Sequence, residues 1–365
     1  MFIRKLQNLN FKIIFPVFIY IAILTFIRYQ GNYHPAYVDI WNFFRQDSLN
    51  LINDLYLSNT VLLSSKLFAV FSYLNINIDH DVVGYVTHLL SSCIGYFFCY
   101  KIINSFLEKN KSELAVAITL SLAIFDNILL NGPQSGWISS HSGTQTLYVH
   151  ALTFPMIWFA LKNNWIWVSI ISGLAILFSI KVAWFPILAC FFYFFFQEKR
   201  IDFLKLTWII FPLICTIYIF STSQINLITT LDTHYEKSEL FKQVINIDLH
   251  EDVFHLQNKW LFLAFLFSMI LYWILLKSYK INTPHFKFAK VVLLLSLILT
   301  ILGFIYGIIG STYFPEPRLI LLSPVRSIAL YQLFFGILAC IAIAKTRLSV
   351  ITVSGLLASW TYFYM

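Results

Sequence analysis

The chain has 365 residues, of which 59% are hydrophobic and only 12% are charged. A soluble domain carries about 25% charged residues, roughly twice that fraction. Apolar runs recur along the whole chain at about the 20-residue length that a membrane-spanning helix needs. This composition excludes soluble enzymes, disulfide-stapled secreted modules, coiled coils and disordered chains. The net charge, 25 − 17 = +8, is less informative than the positions of the charges, because charge location sets membrane topology.

The apolar runs favour helices over a membrane β-barrel. A barrel strand shows about ten residues of alternating polarity, whereas the run 291–304 is apolar all round. The five cysteines lie inside such runs, so neither a metal-binding spacing nor a loop disulfide is indicated. We therefore predict an all-α polytopic membrane protein with a single membrane domain, residues 1–365.

Charges near the start of the chain set the predicted orientation. Arg4, Lys5 and Lys12 precede the apolar run 13–27, which has no small-residue cleavage site. This pattern predicts a retained first span with a cytoplasmic N-terminus. Including that span, we predict about eleven transmembrane helices. The others are predicted at 82–106, 112–131, 146–161, 165–180, 182–197, 204–221, 259–276, 291–309, 328–344 and 348–364.

The run 61–74 either crosses the bilayer or lies flat on it, and the positive-inside rule separates these alternatives. If the run lies flat, 16 of the 25 Lys and Arg residues fall on the cytoplasmic side. If it crosses, nine lie inside, fifteen lie outside and Lys66 is placed in hydrocarbon. The flat alternative is favoured, so membrane-parallel helices follow the first span in an extracytoplasmic loop, 29–81. The second large extracytoplasmic loop is 222–258.

The region 147–196 is interrupted by the polar triplet Lys162-Asn163-Asn164 and by Ile180-Lys181. Its length fits either three short spans or two long ones. Two long spans would bury Lys162 or Lys181 in the bilayer and would reverse the side of every later loop. We therefore predict three short spans.

Carboxylates in the first extracytoplasmic loop are the main candidates for chemistry. Asp39 lies between Tyr37 and Trp41, and Asp54 follows fifteen residues later, close to Tyr56. A carboxylate at the mouth of a helix bundle can accept a proton from a hydroxyl or hold a divalent cation. The alternative is that Asp39 or Asp54 caps a helix on the membrane surface.

An acid after the first span, a membrane-parallel loop, many further spans, a long late outer loop and a late arginine motif occur together in this chain. This combination resembles the GT-C class of integral-membrane glycosyltransferases, which transfer sugars from polyprenyl-phosphate carriers. The segment 37–57 looks like the first outer loop of bacterial members. The motif Leu321-Leu322-Ser323-Pro324-Val325-Arg326-Ser327 looks like their arginine-containing entry to a late span.

The resemblance implies roles for these residues. Asp39 is then the general base for an acceptor hydroxyl or the ligand of a Mg²⁺ or Mn²⁺ ion, with Asp54 supporting it. Cleavage of the sugar–phosphate bond leaves negative charge on the lipid phosphate, which Arg326, Arg318 or Lys181 would stabilise. The alternative for Arg326 and Lys181 is that they anchor the chain at the membrane interface.

Further polar residues are candidates for substrate contact: Tyr56, His80, Asp81 and His141. The triplet Asp79-His80-Asp81 has the Asp-x-Asp pattern of nucleotide-sugar transferases, but nucleotide sugars are not available on the outer face. Its alternative interpretation is a polar helix start before Val82. His141 lies in a Gly- and Ser-rich loop, whose composition turn chemistry also explains.

The loop 222–258 contains His250, Glu251 and His255. The zinc-protease pattern requires two histidines four residues apart on one helix face, and these are five apart. A zinc site is therefore not favoured, and we predict instead a solvated amphipathic segment that covers the site.

The leading hypothesis is a bacterial plasma (inner) membrane glycosyltransferase whose active site faces the extracytoplasmic side of the cell envelope. It would move a sugar from a polyprenyl-phosphate donor to a glycan, lipid or protein acceptor, and its partners would be that donor and membrane lipids, with no nucleic acid. One alternative is a Wzy-like polysaccharide polymerase or O-antigen ligase. Another is a membrane transporter or lipid flippase, which the nearly charge-free span centres and the lack of a visible repeat disfavour.

Overall fold

The computed structural model describes part of the chain, and every regular element in that part is helical. The described residues are 19, 80–107, 114–116, 118–119, 145–197, 206–222, 269–270, 272–274, 276–277, 284–313, 330–331, 333–338 and 341. The long helices are α1 (His80–Phe106), α2 (Gln145–Leu161), α3 (Trp165–Phe178), α4 (Ile180–Gln197), α5 (Ile210–Thr222, preceded by a 3₁₀ turn at Thr207–Ile209) and α6 (Pro284–Tyr313).

A tight polar turn separates α2 from α3. Asn163 has a φ of 56°, in the left-handed region that Asn tolerates better than most residues. The backbone N–H of Asn163 donates to Ala160 O at 3.0 Å, and that of Asn164 donates to Phe159 O at 2.9 Å. This pair of bonds is the Schellman arrangement, which satisfies the last carbonyl groups of a helix and stops it. The polar triplet therefore ends α2 by its backbone chemistry as well as by its polarity.

The next break lies at Ser179, where the backbone is extended, with φ −162° and ψ 108°. The chain then resumes as α4, in which Pro186 is accommodated inside the helix, as Pro155 is in α2. Proline removes one backbone donor, which an apolar bundle tolerates when neighbouring groups take up the freed carbonyl. The region therefore forms three helices, as many as the predicted spans, with the second break at Ser179, one residue before the predicted Ile180-Lys181.

Helix bounds lie within two residues of the predicted spans for α1 to α4. α5 begins at Ile210, six residues after the predicted start of the span 204–221, and the 3₁₀ turn at Thr207–Ile209 fills part of that interval. α6 begins at Pro284, seven residues before the predicted start of the span 291–309. Proline fits the first turn of a helix because no intrahelical bond needs its missing N–H. Lys287 and Lys290 fall between the predicted spans 259–276 and 291–309, in a loop predicted to be cytoplasmic. In the structure they lie on the first turns of α6.

Ring contacts fix the relative directions of the helices. Phe106, at the end of α1, lies edge-on to Phe286 at the start of α6, with ring centroids 5.3 Å apart. Trp165 and Trp208 stack at 5.4 Å, so α3 and α5 begin side by side and run parallel. Tyr193, near the end of α4, meets Phe288 at 5.1 Å. The last turns of α1, α2 and α4 therefore lie at the same end of the bundle as the first turns of α3, α5 and α6.

We call this the basic end, because the described lysines of several elements lie there. They are Lys101, Lys162, Lys277, Lys287 and Lys290. The predicted topology placed all of them on the cytoplasmic side, and the relative directions of the helices are those that its order of spans requires.

One contact set differs from the predicted topology. The span 328–344 was expected to start at the outer face, opposite the basic end. In the structure Phe334 lies 5.4 Å from Phe288 and Tyr331 lies 5.2 Å from Tyr272, measured between ring centroids. The Tyr272 hydroxyl also donates to Ala289 O at 3.0 Å, which fixes Tyr272 beside the first turns of α6. Tyr331 and Phe334 therefore lie toward the basic end, where their rings pack against Tyr272 and Phe288.

The surfaces of α5 and α6 are apolar where a water-soluble bundle would be polar. On α5, Ile214 and Ile217 are 56% and 66% exposed, and on α6, Ile298 and Leu302 are 52% and 53% exposed. Such continuous exposed apolar faces are typical of contact with lipid or with another protein. Within the described ranges, one helix segment, Leu89–Phe106, is long and apolar enough to cross a membrane, and four shorter apolar helices accompany it.

The contact between α3 and α5 depends on a glycine. A Cβ atom at Gly173 would collide with the ring of Phe211 and would lie 3.2 Å from Cys215 Sγ. We expect Gly173→Leu to lower the free energy of unfolding by at least about 1–3 kcal/mol through overpacking, more than the gain of less than about 1 kcal/mol in helix propensity. Thermal unfolding in detergent measures this. Ile217→Phe, on the exposed face of α5, is the control, and equal losses for both variants would contradict the close-packing role.

Candidate functional site

Most of the sequence-predicted site residues lie outside the described part of the chain. These are Asp39, Asp54, Tyr56, His141, Arg318 and Arg326. Their mutual geometry, and the choice of Asp39 as a metal ligand, stay predictions. In the part of the chain that the structure describes, no group of three His, Cys, Asp or Glu side chains is arranged to hold a metal ion.

The other predicted residues fall at helix starts. His80 and Asp81 are the first two residues of α1, and Lys181 is the second residue of α4. The start of α1 at His80 agrees with the helix-start interpretation of the Asp79-His80-Asp81 triplet. Because α1 and α4 both end at the basic end, their starts share the opposite end of the bundle. The structure thus brings His80, Asp81 and Lys181 to one end, on separate helices.

The basic end holds a second polar cluster, centred on Lys162. The ammonium Nζ of Lys162 lies 4.7 Å from the centroid of the Trp158 ring, a cation–π contact that orients the charge. Lys162 is also within electrostatic range of Lys101 and of His285. Of these two groups, Lys101 adds positive charge near Lys162, and neither is a carboxylate.

His285 lies in the first turn of α6, outside the predicted span 291–309. Burial lowers the pKa of its imidazole to about 4, and the positive charge of Lys162 contributes to the same shift. Its Nε2 atom is buried with no hydrogen-bond partner, while its ring packs against Phe106 with centroids 5.3 Å apart. His285 is therefore held as a neutral ring in an aromatic setting.

A groove opens at the basic end between the first turns of α3 and α5, with a volume of about 750 Å³. Its polar wall consists of Lys162, Asn163, Asn164, Ser169 and Thr207. The indole rings of Trp165 and Trp208 also line it, and both Nε1 donors are buried without an acceptor. A buried N–H without an acceptor lowers the stability of the folded state by about 1–3 kcal/mol. Two such donors in neighbouring residues are therefore unusual.

The remaining wall of the groove is apolar and runs along the first three turns of α3 and the start of α5. It consists of Ile166, Ile170, Leu174 and Phe211. Ile166 is 73% exposed and Phe211 is 40% exposed, so this wall faces outward from the bundle. A groove with donors and positive charge at one end and an apolar track at the other matches an amphiphile with an anionic head.

Sequence reasoning missed this groove. It treated Lys162-Asn163-Asn164 only as a break between two spans, and it assigned Trp residues near span ends to the interfacial belt. A local signal was present, since Trp158, Trp165 and Trp167 flank the triplet on both sides. The contribution of Trp208, 43 positions after Trp165, depends on the pairing of α3 with α5, which the sequence does not state.

Comparison of the chain with protein-family models, with curated proteins and with solved structures found no match.

The depressed pKa of His285 predicts a pH dependence of stability. The unfolded chain takes up a proton on this imidazole near pH 6.5, whereas the folded chain does so only near pH 4. The stability from the neutral ring is therefore present above pH 6.5 and is lost as the pH falls from 6.5 to 4, by up to about 3 kcal/mol. His285→Phe keeps an aromatic ring beside Phe106 and removes the titration, so its unfolding temperature should fall less between these pH values.

Thermal unfolding in detergent at pH 7 and pH 4 measures both proteins under the same conditions. Other acidic and histidine groups titrate in this window, but they are common to both proteins. If the two proteins lose the same stability on acidification, the assignment to His285 is wrong.

Proposed function

We propose that the protein is a polytopic membrane glycosyltransferase that uses a polyprenyl-phosphate sugar donor on the extracytoplasmic face of a bacterial plasma membrane. The observation that supports a membrane location is the exposed apolar faces of α5 and α6, together with the lysines at one end of the bundle. The proposed glycosyltransferase activity depends on the carboxylates of the first predicted loop and on the resemblance to GT-C enzymes.

The full arrangement that we propose has about eleven spans, a cytoplasmic N-terminus and the basic end toward the cytoplasm. The opposite end, where α1 and α4 begin, then faces outward with His80, Asp81 and Lys181. The loop 29–81 joins α1 at this same end, because α1 starts at His80. Asp39 and Asp54 lie in that loop, which supports an outward-facing site.

The helix directions also bear on which cation stabilises the leaving lipid phosphate. Lys181 is at the start of α4, at the opposite end from the lysine cluster. Arg318 and Arg326 lie outside the described residues, so all three cations stay candidates for this role.

In this mechanism Asp39 accepts the proton of the acceptor hydroxyl as the oxygen attacks the anomeric carbon, and the bond from that carbon to the phosphate oxygen breaks. The electron pair of the broken bond stays on the lipid phosphate, where Lys181, Arg318 or Arg326 stabilises the added negative charge. A single base acting on a carrier-linked donor implies inversion at the anomeric carbon. A Mg²⁺ or Mn²⁺ ion held by Asp39 is the alternative use of the same carboxylate.

The proposal predicts loss of sugar transfer when Asp39 is replaced. In proteoliposomes supplied with synthetic polyprenyl-phosphate hexoses, Asp39→Asn should lower the rate of transfer by about 10²-fold or more, the usual contribution of a general base. Asp47→Asn, a neighbouring carboxylate of the same loop, is the matched control and should retain activity. Full activity of the Asp39 variant would remove the proposal.

The same proteoliposomes compare the cations. At least one of Lys181→Gln, Arg318→Gln and Arg326→Gln should reduce transfer, while the folded fraction by size-exclusion chromatography stays equal. Full activity of all three variants would contradict the stabilisation of the lipid phosphate by these cations. Movement of the lipid across the vesicle without any covalent product would favour the flippase alternative.

A further inference from the structure

We propose that the groove between α3 and α5 binds a membrane phospholipid, with the anionic phosphate at its polar end and an acyl chain along its apolar wall. This site is at the basic end of the bundle, and none of its lining residues is a member of the proposed transferase site. The inference therefore stands independently of the proposed function, and it needs only that the bundle lies in a membrane.

The polar end of the groove is rich in donors and positive charge. Asn164 caps the start of α3, and its side chain makes no capping hydrogen bond, so the free N–H groups of that first turn keep their partial positive charge. The 3₁₀ turn that precedes α5 starts beside it, at Thr207. Lys162 adds a full positive charge, and none of the described residues that line the groove is an Asp or Glu.

A second observation points to a ligand. Trp165 and Trp208 are only 6% and 4% exposed, both line the groove, and neither Nε1 donor has an acceptor. An indole N–H can only donate, so the missing partner is an acceptor atom. Phosphate oxygens supply several acceptors together with the negative charge that complements Lys162. Because both Nε1 atoms are buried below the groove surface, the indole rings must shift for those oxygens to accept from them.

The apolar wall favours a lipid over free phosphate. Ile166 and Ile170 are 73% and 38% exposed on α3, and Phe211 is 40% exposed on α5. A hydrocarbon chain lying along these residues would bury their exposed apolar side chains. The volume of about 750 Å³ also lies in the range of roughly 300–1,000 Å³ that organic ligands fill, far more than a single phosphate ion needs.

The chain offers a matched control for the charge. The Nζ atom of Lys277 lies 5.4 Å from the Trp273 ring, a cation–π contact like that of Lys162 with Trp158, but Lys277 does not line the groove. Both lysines belong to the basic end, so general attraction to an anionic surface affects them equally. Only binding in the groove separates them.

The test uses the full-length protein purified in detergent and titrated with phosphatidylglycerol or phosphatidylcholine, with bound lipid counted by native mass spectrometry. We expect Lys162→Gln to weaken phosphatidylglycerol binding about fivefold, the contribution of one lysine near an anionic surface. Lys277→Gln should leave it unchanged. Equal weakening by both substitutions, or no weakening by either, would overturn the proposal.

The indole donors are tested by Trp208→Phe, which keeps a ring to stack on Trp165 and removes the N–H. Binding of phosphatidylglycerol should weaken while the unfolding temperature stays near that of the wild type. Since Trp208 is buried, unfolding of this variant would leave the Lys162 and Lys277 comparison as the deciding measurement. Unchanged binding by a folded Trp208→Phe protein would contradict the role of the indole donors.

Competition with inorganic phosphate distinguishes a site for a phospholipid headgroup from a site for free phosphate. We expect millimolar inorganic phosphate to displace little phosphatidylglycerol, and Ile170→Asn to weaken lipid binding without changing the fold. Displacement by inorganic phosphate at the same concentration as the lipid, together with an inert Ile170→Asn, would show a phosphate-ion site and overturn the lipid assignment.

Discussion

The turn between α2 and α3 determines how the described bundle is arranged. Asn163 adopts the left-handed conformation, and two backbone hydrogen bonds close the end of α2. This reversal makes α2 and α3 antiparallel, and the extended residue Ser179 reverses the chain again into α4. Because both reversals are short, the helices alternate in direction, and the charged residues at their ends collect at the two ends of the bundle.

The same turn couples the fold to chemistry. A polar triplet between two apolar helices must stay at an interface, since burying Lys162 in hydrocarbon without a partner is costly. The ring of Trp158 holds the ammonium group, and the start of α5 brings Trp208 against Trp165. The groove therefore results from a turn that the apolar helices require in any case, combined with the parallel packing of α3 on α5 around Gly173.

The two ends of the bundle have different chemistry. The basic end holds lysines, unsatisfied indole donors and a neutral buried imidazole at His285. The opposite end holds the starts of α1 and α4, with Asp81 and Lys181. Anion binding at one end and carboxylate chemistry at the other use separate parts of the molecule, so the two proposals stand or fall separately.

The sequence by itself determined the all-helical class, the approximate bounds of α1 to α5 and the break at Lys162-Asn163-Asn164. It succeeded because apolar run length and the positions of charged and turn-forming residues are local properties. It could not predict that Tyr331 and Phe334 lie toward the basic end, that α6 begins as early as Pro284, or that a groove lies between α3 and α5. Those features depend on which rings pack together, such as Phe288 with Phe334 and Trp165 with Trp208. Only tertiary structure decides such pairings, because residues far apart in sequence compete for the same contacts and the apolar pattern of a membrane helix does not distinguish one face from another.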